Sequence, residues 1–113
     1  MITVKQLMEK LSLELVGGQQ GLDNEISGVY IGDLLSWVMA HLKYGEAWIT
    51  IQTNINVIAV AALGEAACVI IVESAEIEEV TKNKADEEGI PLLRCDYSAY
   101  QLATEIAKLI EIK

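Results

Sequence analysis

The sequence predicts an α/β fold, a three-layer domain whose mainly parallel sheet is built from consecutive strand–helix units. Three observations carry this. A short β-rich apolar run followed by a helical stretch recurs three times in the second half of the chain. The middle run, Cys68-Val69-Ile70-Ile71-Val72, has no polar alternation, as expected of a strand covered by helices on both faces. A glycine follows two of the three helical stretches, at Gly64 and Gly89. Parallel neighbours joined by helices imply right-handed crossovers.

From the N-terminus, Thr3-Val4-Lys5-Gln6 has capping-box spacing, and Val4, Leu7, Met8 and Leu11 follow at helical intervals. Leu13 to Val16 alternates like a short strand. Gly17-Gly18-Gln19-Gln20-Gly21 reads as a turn to a second short strand over Glu25 to Ile31. Asp33 is placed to cap a helix from Leu34 to about Leu42, with Tyr44-Gly45 as its stop. The three units then run in order. Trp48 to Ile51 is a strand before a helix over Asn54 to Leu63. Cys68 to Val72 precedes a helix from about Ala75 to Glu88. Leu92 to Cys95 precedes a helix from Ala99 to Ile112.

The helices differ in what they disclose. The last carries one apolar stripe, Ala99, Leu102, Ala103, Ile106, Leu109 and Ile110, and reads as a surface helix on a sheet. Glu73 to Glu88 holds seven acidic residues and two lysines, a solvated face. The Asn54–Leu63 helix is apolar on every side after Asn56, so it must be buried all round. Either the first half of the chain folds over it or a second copy does.

Composition excludes several classes of partner. The chain has 113 residues, enough for one domain over 1–113, and 52% of them are hydrophobic. Seventeen acidic residues stand against eight basic ones, a net charge of −9. No basic cluster exists to meet a phosphate backbone, so nucleic acid and anionic membranes are poor partners. The longest apolar runs, Val57 to Leu63 and Ala66 to Val72, have seven residues each, whereas a membrane span needs about 20. The N-terminus has no charged region leading into an apolar one, and Cys68 and Cys95 lie in apolar strands as buried, reduced thiols. These features point to a cytoplasmic protein.

Catalytic patterns are missing. His41 stands alone, no phosphate-binding glycine motif or nucleophile elbow occurs, and no cofactor is implied. One constellation remains. In open parallel α/β sheets, ligands bind beyond the carboxyl ends of the strands, near helix starts. Asp33, Thr53, Asn54 and Ser74 occupy such positions and form the candidate ligand site. The same residue types also cap helices whatever the function.

Leu15-Val16-Gly17-Gly18, Gly21-Leu22-Asp23 and Ser27 to Ser36 resemble the opening of the DRTGG domain. Trp48 to Thr53 and Asn56 to Ala61 resemble its middle, and Glu88 to Leu93 resembles the start of its last strand. The resemblance covers nearly the whole chain in order. Where relatives tend to show aspartate–arginine and then threonine–glycine–glycine, this chain reads Asp23-Asn24-Glu25-Ile26-Ser27-Gly28-Val29, without the arginine or the second glycine. The resemblance implies a fold similar to the N-terminal domain of HPr kinase/phosphorylase and to the corresponding domain of Mur ligases. It also implies a regulatory rather than catalytic role. The expected function is a non-catalytic regulatory module that self-associates as a homo-oligomer and senses a small polar metabolite or nucleotide. The alternative is a structural accessory subunit of a larger redox or signalling complex, with a protein partner and no ligand of its own.

Overall fold

The computed structural model describes residues 1–110. Helix α1 spans Val4–Leu11, strand β1 Glu14–Gly17, β2 Gly28–Ile31, α2 Leu35–His41, β3 Glu46–Thr50, α3 Asn56–Leu63, β4 Cys68–Ile71, α4 Glu79–Glu88, β5 Leu92–Arg94 and α5 Ala99–Leu109. The five strands form one sheet in the order β1-β5-β4-β3-β2. Strands β2 to β5 are mutually parallel, with Trp48 opposite Val69 and Ile70 opposite Leu93. Strand β1 runs antiparallel to β5, with an irregularity between Leu15 and Gly17.

Two apolar cores make the three layers. On one face Ala47, Ile49, Cys68, Ile70 and Leu93 meet Val4 and Leu7 of α1 and Leu102 and Ile106 of α5. On the other, Trp48, Val69, Ile71 and Leu92 meet Val38 and Leu42 of the α2 region, Val57, Ile58 and Ala61 of α3, and Ala85 of α4. Successive residues of a strand point to opposite faces, so β4 is apolar throughout and wholly buried, and β3 is buried from Ala47 to Thr50. The repeated strand–helix units and the parallel pairing of the three later strands agree with the sequence reading. All three crossover helices, α2, α3 and α4, lie on the same face.

That arrangement explains the all-apolar helix. α3 sits between α2 and α4 and over the sheet, so Val57, Ile58, Val60 and Ala61 are buried within the chain itself. The first half does fold over it, through α2. Ala59 and Leu63 stay exposed on its outer side.

Several element limits differ from the sequence reading, each for a local reason. The glycine-rich stretch does not join β1 and β2 as neighbours: the two strands occupy opposite edges of the sheet. It packs instead as a 3-10 turn over Gln19–Gly21 against the start of β5. Gly18 has φ +74°, and a Cβ there would lie 1.8 Å from the Ile90 carbonyl oxygen, so only glycine fits. α2 begins at Leu35 without a side-chain cap, because the Asp33 carboxylate turns away to the end of β3. α3 begins at Asn56, since Asn54 Oδ1 accepts the Asn56 N–H and forms a turn ahead of the helix. α4 begins at Glu79, one turn later than expected: the left-handed Glu73 and Ser74, φ 58° and 54°, are followed by non-helical chain up to Glu78, whose extended backbone, ψ 143°, sets the helix start. α5 ends at Leu109 with Ile110 extended, and the expected continuation to Ile112 lies outside the described residues.

Capping succeeded where the motif was complete. Thr3 with Gln6, and Ser98 with Gln101, both form reciprocal capping boxes. Cys68 and Cys95 are both buried and unpaired. Burial in the apolar core pushes the Cys68 thiol up to about 12 and also raises Cys95. No helix among the described residues is long and apolar enough to cross a membrane.

Candidate functional site at the carboxyl edge

The carboxyl ends of β2, β3, β4 and β5 share one edge of the sheet, since the four are parallel. Asp33 follows β2, Thr53 and Asn54 follow β3, and Ser74 follows β4, so all four sequence-predicted residues lie on that edge. Their side chains fall into two groups.

The first group is built around Asp33. Its Oδ1 accepts the Thr50 hydroxyl at 2.8 Å and the Ile51 N–H at 3.0 Å. Its backbone carbonyl accepts the Gln52 side-chain amide at 3.1 Å. Gln52 in turn accepts from the Asn54 amide at 3.3 Å. The Thr50 hydroxyl is 1% exposed and also accepts the Gln52 N–H at 3.2 Å. Thr53 joins through its backbone: its carbonyl accepts the hydroxyl of Thr81, a fully buried residue of α4, at 2.7 Å. Asp33 and Asn54 thus belong to one network, with Thr53 beside it.

The second group lies between β4 and β5. Ser74 donates its hydroxyl to Asp96 in a short hydrogen bond, and the Ser74 carbonyl accepts an Arg94 Nη2 N–H at 2.7 Å. The two loops also zip together through their backbones, Glu73 N–H to Tyr97 O at 2.8 Å and Ser74 N–H to Cys95 O at 2.9 Å. No hydrogen bond links Ser74 to Asp33, Thr53 or Asn54.

Arg94, Asp96 and Tyr97 were not among the residues predicted for the site. A recess of about 510 Å³ opens beside them, lined in part by Leu11, Ser12, Glu14, Arg94, Asp96 and Tyr97. Its lining comes from the end of α1, β1, β5, the loop after β5 and the start of α5, so it lies on the β1 side of β5 and beside the β4–β5 boundary. The chain leaving β4 passes to α4 on one face of the sheet, and the chain leaving β5 passes to α5 on the other. Neighbouring strands whose chains pass to helices on opposite faces make a switch point; here the two loops stay hydrogen-bonded to each other and the recess opens next to them. Only the β4–β5 boundary is such a switch point, since α2, α3 and α4 share a face. The sequence signal was available in principle, as α5 carries the narrow apolar stripe of an outer helix. The antiparallel β1, which brings Glu14 opposite Arg94, was not visible.

A second recess of about 470 Å³ lies at the opposite, amino edge, where Asn24, Glu25, Ser27, Tyr44 and Glu65 contribute to its wall. Two of these serve the fold. Asn24 donates its amide to the Ala67 carbonyl at 3.1 Å, and Ser27 donates its hydroxyl to the Tyr44 carbonyl at 2.9 Å. Asp86, in the acidic end of α4, accepts the Gly18 N–H at 2.8 Å. Among the described residues no group of three or more His, Cys, Asp or Glu side chains is placed to hold a metal ion.

Residues 6–109 match the family described as the DRTGG domain. The chain belongs to the DRTGG family. Among solved structures, this DRTGG chain is similar to the crystal structure of the CBS and DRTGG domains of the regulatory region of Clostridium perfringens pyrophosphatase, complexed with the activator diadenosine tetraphosphate. The two share 8% sequence identity and superpose with a TM-score of 0.67, covering 90% of this chain and 44% of the other. At that identity the likeness is one of fold, and the DRTGG chain described here spans less than half the length of its neighbour. In the pyrophosphatase the DRTGG domain is part of a regulatory region. Among curated proteins none matches the chain.

Proposed function

We infer that this DRTGG protein is a non-catalytic regulatory module that senses a small polar metabolite or nucleotide at the carboxyl edge of its sheet and self-associates. The observation that carries this is the β4–β5 switch point, where Ser74, Arg94 and Asp96 meet beside an open recess. Asp33, Thr53 and Asn54 extend the same edge and complete the proposed ligand-binding set with Ser74. The regulatory neighbour, complexed with a dinucleotide activator, supports a regulatory role and a small-molecule ligand. The same reading takes residues 1–113 as one domain of a cytoplasmic protein. It places the domain in fold kinship with the N-terminal domain of HPr kinase/phosphorylase and the Mur ligase domain, where catalytic machinery lies elsewhere.

Self-association is supported by the β2 side of the molecule rather than by the outer face of α3. Strand β2 is an unpaired edge with neither Lys nor Pro to blunt it. Beside it in the chain, Ile31 is 50% exposed, Leu34 67% and Trp37 59%, with the Trp37 ring stacked on His41 at 4.3 Å. In a chain of net charge −9 this segment, Gly28 to Ala40, carries only Asp33 as a charged residue, so two copies meet there with little repulsion. A homo-oligomer through this surface sedimenting at micromolar concentration is expected, and Trp37→Glu should yield a folded monomer. A wild-type monomer under those conditions overturns this part.

The ligand part is tested by a thermal-shift screen with nucleotides and small polar metabolites, since a ligand bound only to the folded state raises its stability. A hit weakened by Ser74→Ala and Thr53→Ala with the fold intact is the expected result. No stabilising compound favours instead the accessory-subunit reading, a partner-binding protein without its own ligand.

A further inference from the structure

We propose that the recess at the β1–β5 end of the carboxyl edge binds a small zwitterion of the amino-acid type, an ammonium and a carboxylate held on one apolar-bodied molecule. This rests on the ligand-sensing reading above and names the chemistry of one part of that edge.

Three charged side chains set the selectivity. Arg94 is tethered by its Nη2 bond to the Ser74 carbonyl at 2.7 Å. Its Nη1 lies 3.8 Å from Glu14 Oε1, an ion pair too long for a hydrogen bond. A guanidinium has five N–H donors, so Arg94 keeps most of its capacity for a ligand carboxylate, the partner whose geometry suits it best. Asp96 spends one oxygen on the Ser74 hydroxyl, and an ionised carboxylate has several further acceptor positions. Glu14 stands opposite Arg94 across the β1–β5 pair. Asp96 and Glu14 are therefore the acceptors for an ammonium. The carboxyl end of α1 borders the recess at Leu11, its dipole adding negative potential there.

Charge balance removes the other ligand classes. Two carboxylates and one guanidinium sum to −1, on a protein already at −9. A polyphosphate would meet two like charges. A simple amine would leave the guanidinium unmatched, and a simple carboxylate would face Glu14 and Asp96 unrelieved. A zwitterion satisfies both signs at once. Leu11 and Tyr97 are the larger apolar residues of the lining and can meet its body, and about 510 Å³ is ample for a molecule of that size.

The test is calorimetric titration of the full chain with each proteinogenic α-amino acid. For every binder, the matched decarboxylated amine and deaminated acid are run beside it, and ATP serves as the nucleotide probe. At least one amino acid should bind with a Kd below about 1 mM, with both matched controls weaker by about tenfold or more. Arg94→Gln and Asp96→Asn should each weaken that binding by about tenfold with an unchanged circular dichroism spectrum. Should either variant fail to fold, Glu14→Gln, at an exposed side chain, should weaken it several-fold. Failure of every amino acid to bind, equal binding of a matched control, or binding indifferent to these variants overturns the proposal. ATP binding lost on Arg94→Gln would overturn the zwitterion while sustaining the ligand-sensing reading. Silence from both probe classes would overturn the zwitterion and leave the broader reading to the thermal-shift screen.

Discussion

Thr50→Val isolates the anchor of the Asp33 network. The substitution keeps the β-branched shape in a position 1% exposed, and removes a hydroxyl that donates to Asp33 at 2.8 Å and accepts from Gln52 N–H at 3.2 Å. A hydrogen bond to a charged acceptor contributes about 1.5–3 kcal/mol. Asp33 is itself exposed, so water replaces part of the lost bond and the lower end applies. The Gln52 N–H is only partly buried and adds a few tenths. The expected loss is about 2 kcal/mol. For a chain of this size that lowers Tm by roughly 8 °C, and the urea midpoint by about 1 M at a slope near 2 kcal/mol per M. Urea unfolding followed by circular dichroism measures it. The companion variants are Asp33→Ala and the double mutant, whose coupling should be about 1 kcal/mol. A loss under about 0.5 kcal/mol with no coupling would refute the claim that this hydroxyl holds the β2 and β3 loops together.

Cys68 and Gly18 test the packing. Cys68 is protonated to about 12 in the folded state, against an ordinary value of 9.0, so above pH 9 the unfolded chain sheds a proton the native chain retains. Stability should therefore be unaffected by this group below about pH 9 and fall by up to about 1.4 kcal/mol per pH unit above it. Cys68→Ala should flatten that slope in urea titrations across the range. The same burial makes Cys68 slow to label with a thiol reagent in the native state, and rapid labelling would place it at the surface. Gly18→Ala drives a Cβ to 1.8 Å from the Ile90 carbonyl at a left-handed backbone position. It should lower stability by more than about 2 kcal/mol, read as a shift in the urea midpoint, and a neutral result would show that the 3-10 turn does not pack on the start of β5 as described.

The repeated strand–helix units were legible because each apolar run is short, β-rich and closed by a helical period. A strand with no polar alternation has few alternatives to the middle of a covered sheet. The capping box at Thr3 was legible for the same reason: both halves of the motif lie within four residues. Asp33 does not cap because its partners, Thr50 and Ile51, lie at the end of β3, and local propensity cannot see a donor on a neighbouring strand. Nothing in Glu73-Ser74 announces left-handed backbone, and nothing in the acidic run after it marks Glu78 as the extended residue before α4. Glu73 and Ser74 are turned by the bonds their N–H groups make to Tyr97 and Cys95, contacts more than twenty residues away.

The candidate site shows the same division between local and distant causes. Sequence reading ranked the carboxyl edge by residue type and so weighted Thr53 and Asn54, hydroxyl and amide groups at helix starts. The fold ranks it by topology. Because α2, α3 and α4 lie on one face, the loops after β2 and β3 turn the same way and bond to one another. After β4 and β5 the loops stay bonded to one another while the chain passes to helices on opposite faces, and the recess lies on the other side of β5, where its wall is completed by β1, which runs against the others and enters from the far end of the chain. That strand carries Glu14 to Arg94, pairing residues eighty positions apart in sequence. A site whose charges come from an antiparallel edge strand and a switch of helix face has no local signature. Its two carboxylates, one guanidinium and apolar lining residues become a constellation only when the order β1-β5-β4 is known.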